Sequence, residues 1–289
     1  MNEPRSFGTH SGSFHADEVT ACALLLLFGL IDRNKIVRSR DPEVLNRCEF
    51  VCDVGGVYDP NQKKFDHHQV DYTGTLSSAG MILKYLSDTN VIEKQAFEVF
   101  KKTIIDGVDA HDNGVETAGP GISTYSMVIG NFAPIEHENT EEEWNKAFDE
   151  ALNLAYGHLR RLYERYRYIA SCKEKVEQAM AEKKPYLMFD KSLPWMDNFF
   201  AMDGENHPAM YVVMPSGSHW KVRGIPPNLE HRMKVRKPLP EKWAGLLGDD
   251  LKKASGIDGA IFCHKGRFIS VWETKEAALK ALDYCLEQS

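Results

Sequence analysis

The sequence contains no CxxC pair, and Cys48 and Cys52 have no histidine or cysteine partner at zinc-site spacing. Six cysteines in 289 residues, Cys22, Cys48, Cys52, Cys172, Cys263 and Cys285, are therefore expected to be reduced thiols packed as small core residues in a reducing compartment. Long apolar runs are missing as well. The one extended run, Ala21 to Leu27, is far too short to cross a bilayer, so no membrane partner is expected. An excess of basic charge is absent: 35 Lys and Arg stand against 42 Asp and Glu, and the formal charge is −7. The chain as a whole is not a basic nucleic-acid binder. Internal repeats and low-complexity segments are lacking. The stretch Met1 to Phe7 is too short for a signal or transit peptide, which predicts a mature chain starting near Met1 and acting in the cytosol or nucleus.

What is present is ordinary globular material, 43% hydrophobic and 27% charged, enough for one large domain or two of usual size. The first third alternates strand and helix signals. "RSFGTH", "KIVRSR" and "EFVCDVGG" read as strands; "DEVTACALLLLFGL", "SSAGMILKYLSD" and 92–105 read as helices. This pattern predicts an α/β fold, a parallel sheet with helices on both faces and ligands beyond the carboxyl ends of the strands. From Glu141 to Glu182, apolar residues including Trp144, Phe148, Ala151, Ala155 and Leu159 recur at spacings of three and four. That is the packed stripe of one long connecting helix or of two helices end to end. A smaller second α/β unit follows. "PYLMFD", "AMYVVM" and "WKVRGI" read as strands, "EKWAGLLGDDLKKASG" as a helix, "GAIFCHKGRFISVW" as a hairpin and "TKEAALKALDYCLEQ" as a last helix capped by Thr274. The expected division is 1–139, a connecting helix over 140–184, and 185–289.

Four clusters carry chemistry. "THSGSFHADE" supplies His10, His15 and Asp17; "CDVGG" supplies Asp53; "FDHHQ" supplies Asp66, His67 and His68; "IIDGVDAHDNG" supplies Asp106, Asp109, His111 and Asp112. Each lies next to glycine or in a turn. Imidazole and carboxylate together suit manganese, magnesium, zinc or iron, and a pair of such ions drives attack on phosphorus. Taken singly, each residue reads as a surface group or a cap, and Asp53 before Gly-Gly as a turn residue. Asp106 and Asp112 are read as structural and His111 as a surface or supporting residue, because three carboxylates in so short a stretch do not all reach one ion. Jointly, the four clusters favour a site over coincidence. Arg38 and Arg40 stand two apart on a predicted strand and share a face, suited equally to a phosphate or to solvent. Between His219 and Lys237 there are six Lys or Arg residues, Arg236 among them, and one acidic residue, Glu230. With His219 and Trp220 beside a turn, this stretch suits the backbone and bases of a single strand, or else a solvated face.

Together "FDHHQ", "HADE", "VCDVGG" and "DGVDAHDNG" resemble the DHH phosphoesterase superfamily and, more narrowly, its melanocyte-proliferating-gene (Myg) family. "IVRSRDPEVL", "STYSMVIGNFAP", "GSHWKVRGIPP" and "RKPLPEKWAGL" extend the resemblance over nearly the whole chain. It implies a DHH-type catalytic domain, a substrate-binding domain and a 3′–5′ exonuclease acting on single-stranded RNA. It further implies two divalent ions, manganese before magnesium. His10, His15 and Asp53 would hold one, and Asp17, Asp53, His67 and Asp109 the other, with Asp53 shared. Asp66 would orient its neighbours, and His68 would donate to the scissile phosphate or leaving oxygen. His219, Arg223 and His264 would contact the far end of the substrate. Two departures stand out. His15 replaces the first aspartate of the superfamily's His-x-x-x-Asp-x-Asp motif with one extra residue in the gap, and Ser270 and Val271 replace a Gly-Gly pair. Two alternatives stay open: a phosphatase of short oligonucleotides, nucleotides or pyrophosphate, and a non-catalytic RNA-binding protein. The oligomeric state is also open, with a homodimer admitted.

Overall fold

The computed structural model describes residues 2–115, 118–136 and 138–287. The chain divides into two compact units, Met1–Tyr166 and Arg167–Ser289. All six cysteines are buried and free. Among the described residues no helix is long and apolar enough to cross a membrane.

The first unit runs β1 (Glu3–Thr9), α1 (Ala16–Leu27), β2 (Ile36–Arg38), α2 (Pro42–Leu45), β3 (Cys48–Cys52), β4 (Tyr58–Asp59) and β5 (Lys64–Phe65). Helices follow: α3 (Ser78–Asp88), α4 (Lys94–Phe100), α5 (Asp106–Asp112), α6 (Tyr125–Gly130) and α7 (Glu141–Ser171). The strand order is β2-β1-β3-β5-β4, with β4 antiparallel at the edge and the rest parallel. The fold is α/β. Phe7, Phe50, Cys52 and Phe65 are fully buried and share one core with α1 and α3. Each of those phenylalanines contributes roughly 1.5–3 kcal/mol by leaving water. The helices do not cover both faces evenly, as the strand–helix alternation predicts. On the opposite face lies a small cluster of Leu45, Cys48 and Val51, joined by Val37 and Val54. Its cause is the connection from β2 to β3: residues 39–47 leave room for one helical turn, α2, and nothing longer.

The helix expected over 92–105 continues further. A π-helical turn at Lys101–Ile105 joins α4 to α5, so the aspartates of "DGVDAHDNG" lie on a helix and not in a loop. The apolar stripe of α7 is buried at Phe148, Ala151, Leu152, Ala155 and Leu159. The division between the units falls inside α7. The segment expected as one connector over 140–184 belongs to the first unit through Tyr166 and to the second beyond it.

The second unit contains α8 (Lys173–Ala181), β6 (Tyr186–Met188), α9 (Met196–Ala201), β7 (Tyr211–Ser216) and β8 (His219–Gly224). It ends with α10 (Gly248–Ser255), β9 (Ala260–Cys263), β10 (Ile269–Trp272) and α11 (Lys275–Glu287). Its sheet runs β6-β7-β8-β10-β9, and only β6 and β7 are parallel. Tyr211, Val213, Val222 and Trp272 pack with α11 in one core, while Leu187, Val212 and Met214 join Val176 and Phe199 in another. The helix expected from "EKWAGLLGDDLKKASG" splits. Glu241–Trp243 forms a 3₁₀ turn, and Gly245 at φ +75° ends it before α10 begins. A left-handed residue breaks the α-helical hydrogen-bond ladder.

Candidate metal centre

Three neighbouring parallel strands end side by side, and each is followed at once by a titratable residue. His10 follows β1, Asp53 follows β3 and Asp66 follows β5. The carboxyl edge of a parallel sheet is where such folds bind ligands. Asp53 has φ 56°, a left-handed conformation that disfavours L-residues by roughly 1–2 kcal/mol and is concentrated at functional sites. Helix α1 opens at the same edge. Its N-cap is His15, whose backbone N–H donates to the Glu18 carboxylate at 3.0 Å, and Asp17 lies in its first turn.

His10 Nε2 stands 3.1 Å from Asp53 Oδ2 and 3.3 Å from Glu18 Oε1. His67 Nε2 is 2.9 Å from Asp112 Oδ2 and 3.5 Å from Asp53 Oδ1. The 2.9 Å approach is ion-pair distance without hydrogen-bond alignment, so this nitrogen remains unpartnered. The exposed His68 has Nδ1 2.8 Å from Asp66 Oδ1 and 3.4 Å from Asp53 Oδ1. Asp66 also accepts from the backbone N–H groups of Gly56 at 2.6 Å and His68 at 3.1 Å. It therefore fixes both the glycine loop and the outer imidazole of the pair. Three sets of ligand atoms lie within 4.8 Å of one another: His10, His15, Glu18 and Asp53; Asp53, His67 and His68; and His15, Asp17 and Asp112. Asp53 joins the first two sets and His15 links the first to the third.

The electrostatics are those of a crowded anionic pocket. Burial opposes charge on His10, but Asp53 and Glu18 outweigh it and hold its imidazolium up to about 10. Asp112 and then Asp53 hold His67 up to about 10 against burial. Burial pushes the Asp53 carboxyl up, and His10 and His67 reverse this and bring it down to about 2. Burial, followed by the carboxylates of Glu18, Asp53 and Asp112, pushes Asp17 well above the usual carboxylate range. Asp17 Oδ1, Asp53 Oδ1 and His67 Nε2 are buried with no hydrogen-bond partner. Orphaned buried donors and acceptors cost about 1–3 kcal/mol each, and divalent cations held by the sets that contain Asp53 with His67 and Asp17 with Asp112 would satisfy them. The donor set, carboxylate and imidazole, fits manganese, magnesium, zinc or iron.

Asp109, expected as a ligand beside His67, is engaged elsewhere. Its Oδ1 accepts from Ser77 N at 3.0 Å, Ser77 Oγ at 2.6 Å and Gly80 N at 3.2 Å. It caps the start of α3, and burial raises it to about 6 despite those bonds. Asp112, read as structural from its crowding, takes the place beside His67. Helical spacing three residues after Asp109 was the signal for it, once α5 is known to be helical. Glu18 was not expected either, although "HADE" places it in the first turn of α1.

A cleft of about 350 Å³ opens over the cluster, lined by His10, His15, Arg40, Asp53, Asp66 and His68 among others. Arg40 Nη2 is 3.4 Å from His10 Nδ1. Arg38 does not share its face. Strand β2 ends at Arg38, whose buried guanidinium donates to Gly12 O at 2.5 Å, Trp144 O at 3.1 Å and Asn145 Oδ1 at 3.1 Å.

A family model described as "Uncharacterised protein family (UPF0160)" and labelled MYG1_exonuc matches residues 6–286. The chain belongs to that family. It is 51% identical to the MYG1 protein of Chlamydia muridarum over 100% of this chain and 99% of that one. The MYG1 protein of Dictyostelium discoideum is 34% identical over 97% of this chain and 96% of its own. The MYG1 exonuclease of Homo sapiens is 29% identical over 99% of this chain and 86% of its own. Among solved structures, RecJ from Thermus thermophilus in complex with Mn2+ gives a TM-score of 0.29 at 14% identity. That alignment covers 98% of this chain and spans about half of RecJ, 52%.

In this MYG1-family chain several residues of the second unit are occupied. Arg236 donates to the carbonyls of Gly204, Glu205, His207, Ala209 and Pro226, and its guanidinium lies 5.5 Å from the Phe199 ring centre. It braces a loop and has no donor to spare for a substrate. His264 Nδ1 accepts from Gly266 N at 2.9 Å, which leaves Nε2. Trp220 lies beneath the Lys275 ammonium at 5.2 Å. Arg223 and His219 are half-buried on β8. Ser270, in place of a glycine, is fully buried and accepts from Trp272 Nε1 at 2.9 Å. Its hydroxyl satisfies a buried indole.

Proposed function

We propose that this chain is a metal-dependent phosphodiesterase of the DHH type and an exonuclease that shortens single-stranded RNA from the 3′ end. The first unit carries the chemistry and the second holds the substrate, in the cytosol or nucleus. Relatives from rat, human and mouse are named MYG1 exonuclease. The observation that supports the reading is the chain of three overlapping ligand sets, joined through Asp53 and His15, in which Asp17 Oδ1, Asp53 Oδ1 and His67 Nε2 are buried without a hydrogen-bond partner.

Two divalent ions, manganese first, are assigned to these residues. His10, His15, Glu18 and Asp53 would hold one; His67, between Asp53 and Asp112, would hold the other, with Asp17 beside Asp112. Bound there, they supply Lewis acidity that acidifies a water and neutralises charge on the phosphate oxygens. The rest falls to the chain. Asp53 sits between the two sets and fixes their spacing. Asp66 holds His68 by Nδ1, so the second ring nitrogen is left to give a proton to the departing oxygen. Arg40, exposed at the mouth of the cleft, pairs with a nonbridging phosphate oxygen. His219, Trp220, Arg223 and His264 of the second unit are assigned to the polymer.

The test is turnover of 5′-labelled single-stranded RNA in manganese. The wild-type chain is expected to give a ladder shortened from the unlabelled end, and Asp53→Asn to reduce turnover by several orders of magnitude. Equal turnover by Asp53→Asn ends the proposal. Nucleotide or pyrophosphate hydrolysis without RNA shortening makes the chain a phosphatase instead.

A further inference from the structure

Beside the metal centre the thinly covered face of the first sheet holds a second hollow of about 420 Å³. This volume lies within the range of small-molecule pockets, which are mostly apolar with a few placed polar groups. Its walls are Leu45, Val51, Val54 and Val57. Val57 is 39% exposed, an apolar side chain left facing solvent at a cavity. Two cations and an amide complete the lining: Arg40, Lys64 and Asn46. Arg40, Val54 and Gly55 line this hollow and the cleft over the metal cluster alike. The two spaces therefore adjoin along the loop that follows β3.

We infer that this hollow is a nucleobase subsite, holding the base of the nucleotide whose phosphate lies at the metal cluster. The inference rests on the nuclease reading and deepens it. A phosphodiester placed at His10, Asp53 and His68 must put its sugar and base into neighbouring space. The valine and leucine walls offer the apolar contact that a flat heterocycle gains on leaving water. The Asn46 amide both donates and accepts, as a base edge requires. The Arg40 guanidinium stands between the spaces, where it can meet a phosphate and stack on the base plane. Lys64 adds positive charge at the wall, which suits an anionic ligand over a neutral apolar one.

The experiment is equilibrium dialysis of the full chain in manganese, with adenosine 5′-monophosphate and ribose 5-phosphate as the two probes. The wild-type chain is expected to bind the nucleotide at least about tenfold more tightly than the sugar phosphate. Val57→Trp fills the hollow from its exposed side and is expected to abolish that preference, with ribose 5-phosphate affinity held within about twofold. Asn46→Ala, a truncation at an exposed position, is expected to lower nucleotide affinity several-fold and carries the test if Val57→Trp misfolds. Equal binding of the two probes, or an unchanged preference in both variants, overturns the inference. Nucleotide preference without RNA turnover removes the nuclease reading and keeps the subsite. RNA turnover without preference does the reverse.

Discussion

Replacing Arg38 with alanine separates a structural role from a substrate contact. The guanidinium ties the loop after β1, through Gly12, to the start of α7, through Trp144 and Asn145. It also lies 4.7 Å from the Phe148 ring centre and 5.6 Å from that of Phe14. Each hydrogen bond from a charged donor contributes about 1.5–3 kcal/mol, and a desolvated cation–π contact about 2 kcal/mol. These gains are offset by the burial that lowers the pKa of Arg38 and by Nε, which is buried without a partner. The contributions are also not additive. A net loss of about 2–4 kcal/mol is expected. At a urea slope of about 2–3 kcal/mol per molar, the midpoint of the first unit falls by about 1 M. The assay is urea unfolding followed by intrinsic fluorescence, beside turnover measured in the absence of denaturant. An unchanged midpoint with a raised KM refutes the bracing role and restores Arg38 to the substrate.

Three further outcomes are expected. A Cβ at Gly80 would run into the Asp109 carboxylate, whose Cγ would be 2.8 Å away, so Gly80→Ala overpacks a buried group. Its helix-propensity gain of about 1 kcal/mol is outweighed, and thermal unfolding should show a net loss of about 1–3 kcal/mol, partly restored by a second change, Asp109→Ala. Metal analysis by mass spectrometry should find one ion fewer in Asp112→Asn and in His67→Ala, and an unchanged count in Asp109→Asn; the reverse pattern returns Asp109 to the ligand set. His10 and His67 are raised in the folded chain, from an ordinary 6.5 to about 10. Their contribution to the metal-free protein is thus complete below pH 6.5 and is lost as pH rises through about 10. Manganese uptake at neutral pH should release protons into weak buffer, and metal-free stability should fall across the alkaline range; no proton release contradicts the assignment.

Much of the fold was legible because its signals are local. The apolar runs of β1 and β3, the buried helix α1 and the threes and fours of α7 follow from side-chain period alone. Where the reading failed, nonlocal geometry or short connections decided. The π-helical turn at Lys101–Ile105 hid the helical character of "DGVDAHDNG", and with it the choice between Asp109 and Asp112. Gly245 broke a helix that its periodicity supports. Arg38 and Arg40 looked alike on paper; the strand ends between them, and only Arg40 reaches the cleft.

The sequence by itself determined that imidazoles and carboxylates gather in four short clusters next to glycines or turns, because residue type and local spacing are all such a reading requires. Only the tertiary structure decided which of them meet. Three overlapping sets, each with ligand atoms within 4.8 Å of one another, draw on residues at or beside β1, α1, β3, β5 and α5, and strand order, not chain order, sets those distances. Burial did the rest: it left Asp53 Oδ1 and His67 Nε2 without a hydrogen-bond partner, and it spent Arg38 and one oxygen of Asp109 on the scaffold of the first unit and Arg236 on that of the second.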